Sequence, residues 1–539
     1  MSRPTHRVLD GLVRLMVAVL AAAVNVAGAG AQESAGPRLV VAIVVDQLGD
    51  TLIDRYAPAL TGGLRRFLEQ GLRYTEASHA HAMTETAPGH ATLFTGVVPA
   101  RHGIVSNNWW TREGAGWRMT YAVADPEHPI LGFDDEAALE GRSPANVLRT
   151  GLADWVRAAD PEARTVSISK KDRTAVIMAG EGGDAWWILD ELGIFVTSTY
   201  YAERYPDWIV RFNREVMPGI ARDTVWDSDV PRELRHLARS DSAAYEGDGI
   251  HTAFPHRSAE EVEPGDAIGH NLWAFDQPRA DRAVLELAKA AIDELDLGQR
   301  AGHTDLLAIS FSALDRVGHR YGPFSQEAFS TLVHLDGVLA ELLDYLDREV
   351  GEGRWMAGLA GDHGVAPAPE ASQEQGRPEA ERIDERARLE AMGDALRAAA
   401  ARGPNLRTVA DRLAELVEER GLALRAYPHH RLVLGGEPAD SFAVLYRNSY
   451  YPGRPWGPLS RFGVDVRYGE GDLVTPYPTG TNHGSPYWYD RHVALMLLGP
   501  GVPAGESAEP VPTVDFAPTL AGLARIPVPA DLDGRQMFP

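Results

Sequence analysis

The chain has 539 residues, 44% of them hydrophobic and 24% charged, which suits one large α/β domain with insertions or two to three ordinary domains. Its formal net charge of −24 excludes a general nucleic-acid-binding surface, because a face for phosphate backbones needs a basic surplus. With no cysteine, disulfides, thiolate catalysis and Cys-ligated zinc are excluded as well, so any metal must be held by His, Asp, Glu and water.

In chain order, Arg3, His6, Arg7 and Arg14 precede the apolar run Leu15–Val26 and the small residues Ala29, Gly30 and Ala31. That is the pattern of a cleaved secretory signal peptide over residues 1–31, shorter in its apolar part than the roughly 20 residues a membrane span needs. The mature protein is expected to be periplasmic or secreted, with no stable membrane anchor after cleavage. Arg38–Asp46 is a continuous apolar run ending in a carboxylate, which predicts a buried parallel strand delivering Asp46 at its C-terminal end. In open α/β sheets that edge is where ligands bind.

A helical stretch at Thr51–Gln70 and a strand at Leu72–Ser78 lead into a histidine-rich segment, His79–Asn108. Within it Thr86 stands just before Pro88 and Gly89, at the mouth of a predicted helix, where unpaired N–H groups welcome an anion. The plain alternative is that Thr86 only caps that helix. Arg164–Ser169 predicts a strand that runs into Lys170, Lys171, Asp172 and Arg173. Residues 174–270, strand-like at Ile194–Ser198 and helical at Tyr200–Val216, read as elaboration over the sheet.

The alternation resumes with a helix at Asp281–Leu295, a buried strand at Thr304–Ser312 followed by Asp315 and His319, and a long helix at Ser325–Val350. A Gly-rich strand, Arg354–Gly361, ends in Asp362, His363 and Gly364. Residues 366–440 read as an inserted subdomain, helical at Val409–Arg420 and strand-like at Leu432–Gly435 and Ser441–Tyr446. His492–Leu498 is strand-like and Thr513–Leu523 a terminal helix. Strands alternating with helices predict an α/β fold: a mostly parallel central sheet flanked by helices on both faces, within a catalytic domain spanning 32–539. Asp46, Asp315, Asp362, His319, His363 and His483 form an O/N donor set suited to zinc or another borderline divalent ion. Singly, each has a structural explanation as a turn former or a hydrogen-bonded side chain.

Together, Asp46 after an apolar strand, Thr86-Ala-Pro-Gly-His90, Asp315-x-x-Gly-His319, Asp362-His363-Gly364 and Asn482-His483-Gly484 resemble the alkaline phosphatase superfamily. The resemblance is to its phosphodiesterase/nucleotide pyrophosphatase-like branch, and within it to phosphate-irrepressible alkaline phosphatases with a threonine nucleophile. It implies two zinc ions, one held by Asp315, His319 and His483, the other by Asp46, Asp362 and His363, with Thr86 between them. An unassisted Thr hydroxyl is a poor nucleophile at neutral pH, and a metal lowers its pKa. The resemblance further matches Asn107, Lys171 and Arg173 to groups that hold phosphoryl oxygens. A cation plus a guanidinium fork suits the doubly charged monoester, so small phosphate monoesters are the expected substrates, hydrolysed through a phosphothreonine.

The competing readings are a phosphodiesterase, nucleotide pyrophosphatase, phosphonate hydrolase or sulfatase of the same superfamily, or an exported protein that binds metal or phosphate without turnover. The sequence leaves the oligomeric state open, with a monomer the simplest reading. His79, His81, His90 and His102 receive no ligand role and are expected to be structural or supporting.

Overall fold

The computed structural model describes residues 36–133, 139–403, 405–434 and 440–538, so the expected signal peptide lies outside the described residues. Nine strands form the central sheet: β1 (Leu39–Val45), β2 (Leu72–Tyr74), β3 (Thr165–Ser169), β4 (Asp184–Leu189), β5 (Ile194–Val196), β6 (Asp305–Phe311), β7 (Trp355–Gly361), β8 (Leu495–Leu498) and β9 (Gly505–Ser507). Their order is β9-β2-β8-β7-β1-β6-β3-β4-β5. The central strands β7, β1, β6, β3 and β4 run parallel, while β8 and β5 pair antiparallel with their neighbours. The sheet is therefore mostly parallel, as expected, with reversals confined to its flanks.

Parallel strands covered on both faces must be apolar throughout, and β1, with sequence LVVAIVV, is buried at every position. Its alternate side chains enter two different cores. Leu39, Val41, Ile43 and Val45 pack with helices α3 (Arg279–Glu294) and α5 (Gln326–Leu346). Val40, Ala42 and Val44 face α1 (Thr86–Thr95) and α8 (Phe516–Leu523) through Leu93, Phe94, Phe516 and Leu520. The two other helices that matter to the site are α2 (Asp172–Ala179), which follows β3, and α4 (Ala313–Tyr321), which follows β6.

Two predicted elements change character. The stretch Thr51–Gln70 is broken at Pro58 and Gly62 into helices Asp50–Tyr56 and Gly63–Gln70, because proline cannot continue the backbone bonding and glycine weakens helix interiors. Ser441–Tyr446, read as a strand, lies in the helix Ser441–Ser449, and Leu432–Leu434 in the helix His429–Leu434. Both stretches are too short for periodicity to separate strand from helix, and the Asp440 side chain caps the second helix by accepting from Phe442 N–H.

Residues 174–270 contribute β4 and β5 to the sheet edge, and the helix Asp207–Glu215 buries Trp208, Ile209 and Phe212 against it. Between β7 and β8, helices α6 (Glu385–Ala400) and α7 (Leu406–Glu419) enclose their own apolar cluster, including Met392, Ala395, Leu413 and Val417. Among the described residues, no helix is long and apolar enough to cross a membrane.

Candidate active site

The C-terminal ends of the parallel strands deliver the polar residues to one edge. Asp46 follows β1, Lys171 and Arg173 follow β3, Asp315 sits in the first turn of α4 after β6, and Asp362 and His363 follow β7. His319 stands one turn beyond Asp315, and His483 comes from the loop that precedes β8. Two groups form with one ligand atom of each residue within 4.8 Å of the others: Asp315, His319 and His483, and Asp46, Asp315 and His363. Asp315 belongs to both groups, and Asp362, expected with the second, lies beside it with Oδ2 3.5 Å from His363 Nε2.

The three histidines share one orientation. His319 Nδ1 lies 3.0 Å from the Thr481 carbonyl, His483 Nδ1 2.7 Å from the Thr84 carbonyl and His363 Nδ1 2.9 Å from the Gly364 carbonyl. A carbonyl only accepts, so each Nδ1 carries the proton and each Nε2 lone pair turns toward the carboxylates. His319 Nε2 is 3.1 Å from Asp315 Oδ1, and His363 Nε2 is 3.3 Å from Asp46 Oδ1. Backbone acceptors of this kind are what orient metal-ligating imidazoles.

The site calls for positive charge. Among the described residues, Asp46 Oδ1, Asp362 Oδ2 and His363 Nε2 are buried with no aligned hydrogen-bond partner. Burial works against a charged His363, yet Asp362 and Asp46 push its pKa up to about 9. Burial and the adjacent Asp315 work against a charged Asp46, but Lys171 and His363 outweigh them and hold its carboxyl below the usual range. For Asp315 burial is likewise overcome, by His319 and Lys171. Lys171 Nζ lies 2.5 Å from Asp46 Oδ2 and 2.5 Å from Asp315 Oδ2, at the seam between the two groups.

Thr86 is the first residue of α1, and Glu85, not Thr86, occupies the N-cap position without a side-chain cap bond. The capping demand is met from another loop. Asn107 Oδ1 accepts from Ala87 N–H at 2.9 Å, while Glu85 holds Asn107 N–H and Ser106 Oγ. The Thr86 hydroxyl is thus not used for capping, and Asn107 is turned so that its amide nitrogen is the free donor. Pro88 brings no N–H and Gly89 N–H bonds Glu85 O; among the described residues, Thr86 N–H is then the first-turn donor left for an anion. Arg173 Nη2 lies 3.3 Å from Thr86 Oγ1, and Asp172, next to Arg173, is fixed by Tyr121 and Arg142.

Glycines permit the close approaches. A Cβ on Gly89 would sit 2.2 Å from the Asp362 carbonyl oxygen, and one on Gly318 1.7 Å from Gln47 Oε1. Gln47 is a site residue that sequence reasoning missed. Its N–H donates to Asp362 Oδ1 at 3.0 Å and its Nε2 to Asp315 Oδ1 at 2.9 Å, from a left-handed backbone at φ 71°. Its only signals in the sequence are its place after Asp46 and the glycine at Gly318. Asp281 was missed too: its carboxylate accepts from Ser312 and Ala313 N–H, at 2.9 and 3.1 Å, and so fixes the start of α4. Nothing in the sequence links an acidic residue in the first turn of one helix to the start of another.

The unassigned histidines divide. His90, fully buried, lies 2.9 Å from the Thr86 carbonyl, 3.0 Å from Ser310 Oγ and 3.1 Å from Asp362 Oδ2, tying α1 to the strand ends. Burial pushes His79 and His102 down to about 3, which keeps both neutral within their local hydrogen bonds.

Comparison with known proteins shows the family. Residues 40–455 match the family described as type I phosphodiesterase / nucleotide pyrophosphatase. The chain is 34% identical to alkaline phosphatase PhoV of Synechococcus elongatus over 63% of this chain and 61% of that protein. It is 29% identical to alkaline phosphatase PafA of Elizabethkingia meningoseptica over 93% of each. The crystal structure of wild-type alkaline phosphatase PafA superposes with a TM-score of 0.81 at 26% identity, over 93% of this chain and 98% of that one.

Proposed function

The chain belongs to the type I phosphodiesterase / nucleotide pyrophosphatase family and is a phosphatase of the alkaline phosphatase superfamily, and from that premise we propose that it hydrolyses phosphate monoesters through a phosphothreonine at Thr86. The observation that carries this reading is the contact of the Thr86 hydroxyl with Arg173, next to Lys171 at the seam of two carboxylate–imidazole groups.

The donor set fits divalent zinc: Nε2 lone pairs with their Nδ1 protons fixed by carbonyls, and buried carboxylate oxygens without a donor. Asp315, His319 and His483 would hold one ion, and Asp46, Asp362 and His363 the other. Such a pair, when bound, lowers the pKa of a hydroxyl nucleophile and offsets charge on the attacking and leaving oxygens.

The chain's own groups do the rest. The Thr86 oxygen attacks phosphorus in line, the bond to the departing alkoxide breaks, and water then cleaves the phosphothreonine to phosphate and free Thr86. Arg173, Asn107 Nδ2 and the Thr86 N–H supply donors for the non-bridging oxygens, with the Lys171 ammonium adding charge beside them. A monoester dianion uses all of these; a diester, with one charge fewer, uses less. The basic, apolar and small-residue pattern over residues 1–31 supports action in the periplasm or outside the cell.

The test is hydrolysis of a paired monoester and diester by the zinc-loaded protein. A strong monoester preference is expected, and equal or reversed preference overturns the monoesterase reading.

A further inference from the structure

Arg382 lies in the stretch 366–440, which carries none of the family motifs. It opens a short strand, Arg382–Asp384, paired in parallel with Leu473–Thr475, directly upstream of the loop that ends in His483. All five N–H donors of its guanidinium are engaged. Nε and Nη2 form a two-pronged pair with Glu370 at 2.8 Å each. Nη2 also reaches the Gly480 carbonyl at 2.9 Å, and Nη1 the Tyr477 and Thr479 carbonyls at 3.4 Å. Three acceptors within four residues of an irregular loop are thereby gathered on one planar cation, which the point charge of a lysine cannot do.

What that loop delivers is specific. Immediately after Gly480, Thr481 N–H donates to the His319 carbonyl at 2.8 Å and the Thr481 carbonyl fixes His319 Nδ1. Two residues further on, His483 itself enters the site. The loop thus orients the His319 imidazole and carries His483, whereas the acidic residues of the other group follow the ends of β1 and β7. We propose that Arg382 is a positioning residue for the Asp315, His319 and His483 half of the site, and that this is what the otherwise motif-free insertion contributes to catalysis. The inference rests on reading those three residues as metal ligands.

The experiment compares wild type, Arg382→Ala, Arg382→Lys and Arg386→Ala, the last an exposed residue of the same insertion. Each protein is loaded with zinc, freed of excess and challenged with a chelator while metal release is followed. Wild type and Arg386→Ala are expected to release both equivalents slowly. In Arg382→Ala one equivalent is expected to leave roughly tenfold faster or more, as for other groups that orient a metal ligand, with the second unchanged. Arg382→Lys is expected to behave like the alanine variant. Should Arg382→Ala not fold, Glu370→Gln weakens the same clamp and is expected to accelerate the same single equivalent to a smaller extent. Release of both equivalents at the wild-type rate, or equal acceleration of both, overturns the proposal. A wild type that binds no zinc overturns the metal reading and this inference with it, whereas joint loss from the variant overturns this inference alone.

Discussion

The sheet edge and the α6–α7 pair bury their side chains for opposite reasons. At the edge, Asp46, Asp362 and His363 are wholly buried, and among the described residues Asp46 Oδ1, Asp362 Oδ2 and His363 Nε2 lack aligned partners. In the helical pair the buried residues include Ala395, Leu413 and Val417, while Arg386 pairs with Glu390 and Arg397 with Asp394 in solvent. A buried polar atom without a partner costs about 1 to 3 kcal/mol, so a cluster of them points to a group the fold is built to receive. Buried apolar residues at helical spacing need no such explanation. Arg382 stands just ahead of α6 and binds the loop that carries His483.

The largest effect that could break this contrast is at Thr86. Thr86→Ala is expected to lower monoester turnover by roughly 10³-fold or more while both metal equivalents stay bound, since the nucleophile is lost and the ligand groups remain. Kinetics and metal analysis on the same preparation check this. Next, the Lys171→Ala/Arg173→Ala double variant is expected to lose roughly 10²- to 10³-fold on a monoester and clearly less on a matched diester. Equal losses would mean that the two cations do not read the dianion.

On the helical side, Leu413→Ala removes a fully buried side chain and is expected to cost about 3 kcal/mol in denaturant unfolding, with kcat per folded molecule unchanged. A fall in kcat would show the pair to be coupled to the chemistry beyond Arg382.

The smallest expected effect sharpens what a satisfied buried charge looks like. His256 is buried between Glu261 and Glu327, 3.2 Å from each. Burial disfavours its charge, but the hydrogen bonds it donates to Glu261 and Glu327 raise its pKa to about 9. A folded-state pKa above the ordinary value means that the stabilisation is complete below the ordinary histidine range and is lost as pH rises through the raised value. The unfolding free energy of the wild type is expected to fall by on the order of 2 kcal/mol over that window, and His256→Gln to flatten the decline.

Much of this was legible in the sequence because parallel strands are apolar runs whose ends are marked by a change to polar residues. Asp46, Asp362 and His363 follow such runs immediately, and Asp315 and His319 sit at i, i+4 spacing on the next helix. What could not be read was set by long-range backbone contacts. The Thr86 hydroxyl is free because Asn107 caps the helix in its place, and Gln47 bridges Asp362 and Asp315 from a left-handed conformation that its residue type does not signal. Arg382 acts through carbonyls nearly a hundred residues away, which leave no trace in a side-chain pattern.

The central claim is that Thr86 carries the phosphoryl group. It is tested most directly by acid-quenching the zinc-loaded enzyme during turnover of a monoester with a good leaving group and mapping the peptides by mass. A phosphoryl group on the peptide containing Thr86, absent in Thr86→Ala, is the expected result. Turnover with no phosphoryl group on the protein, or with the label on another residue, would contradict the account.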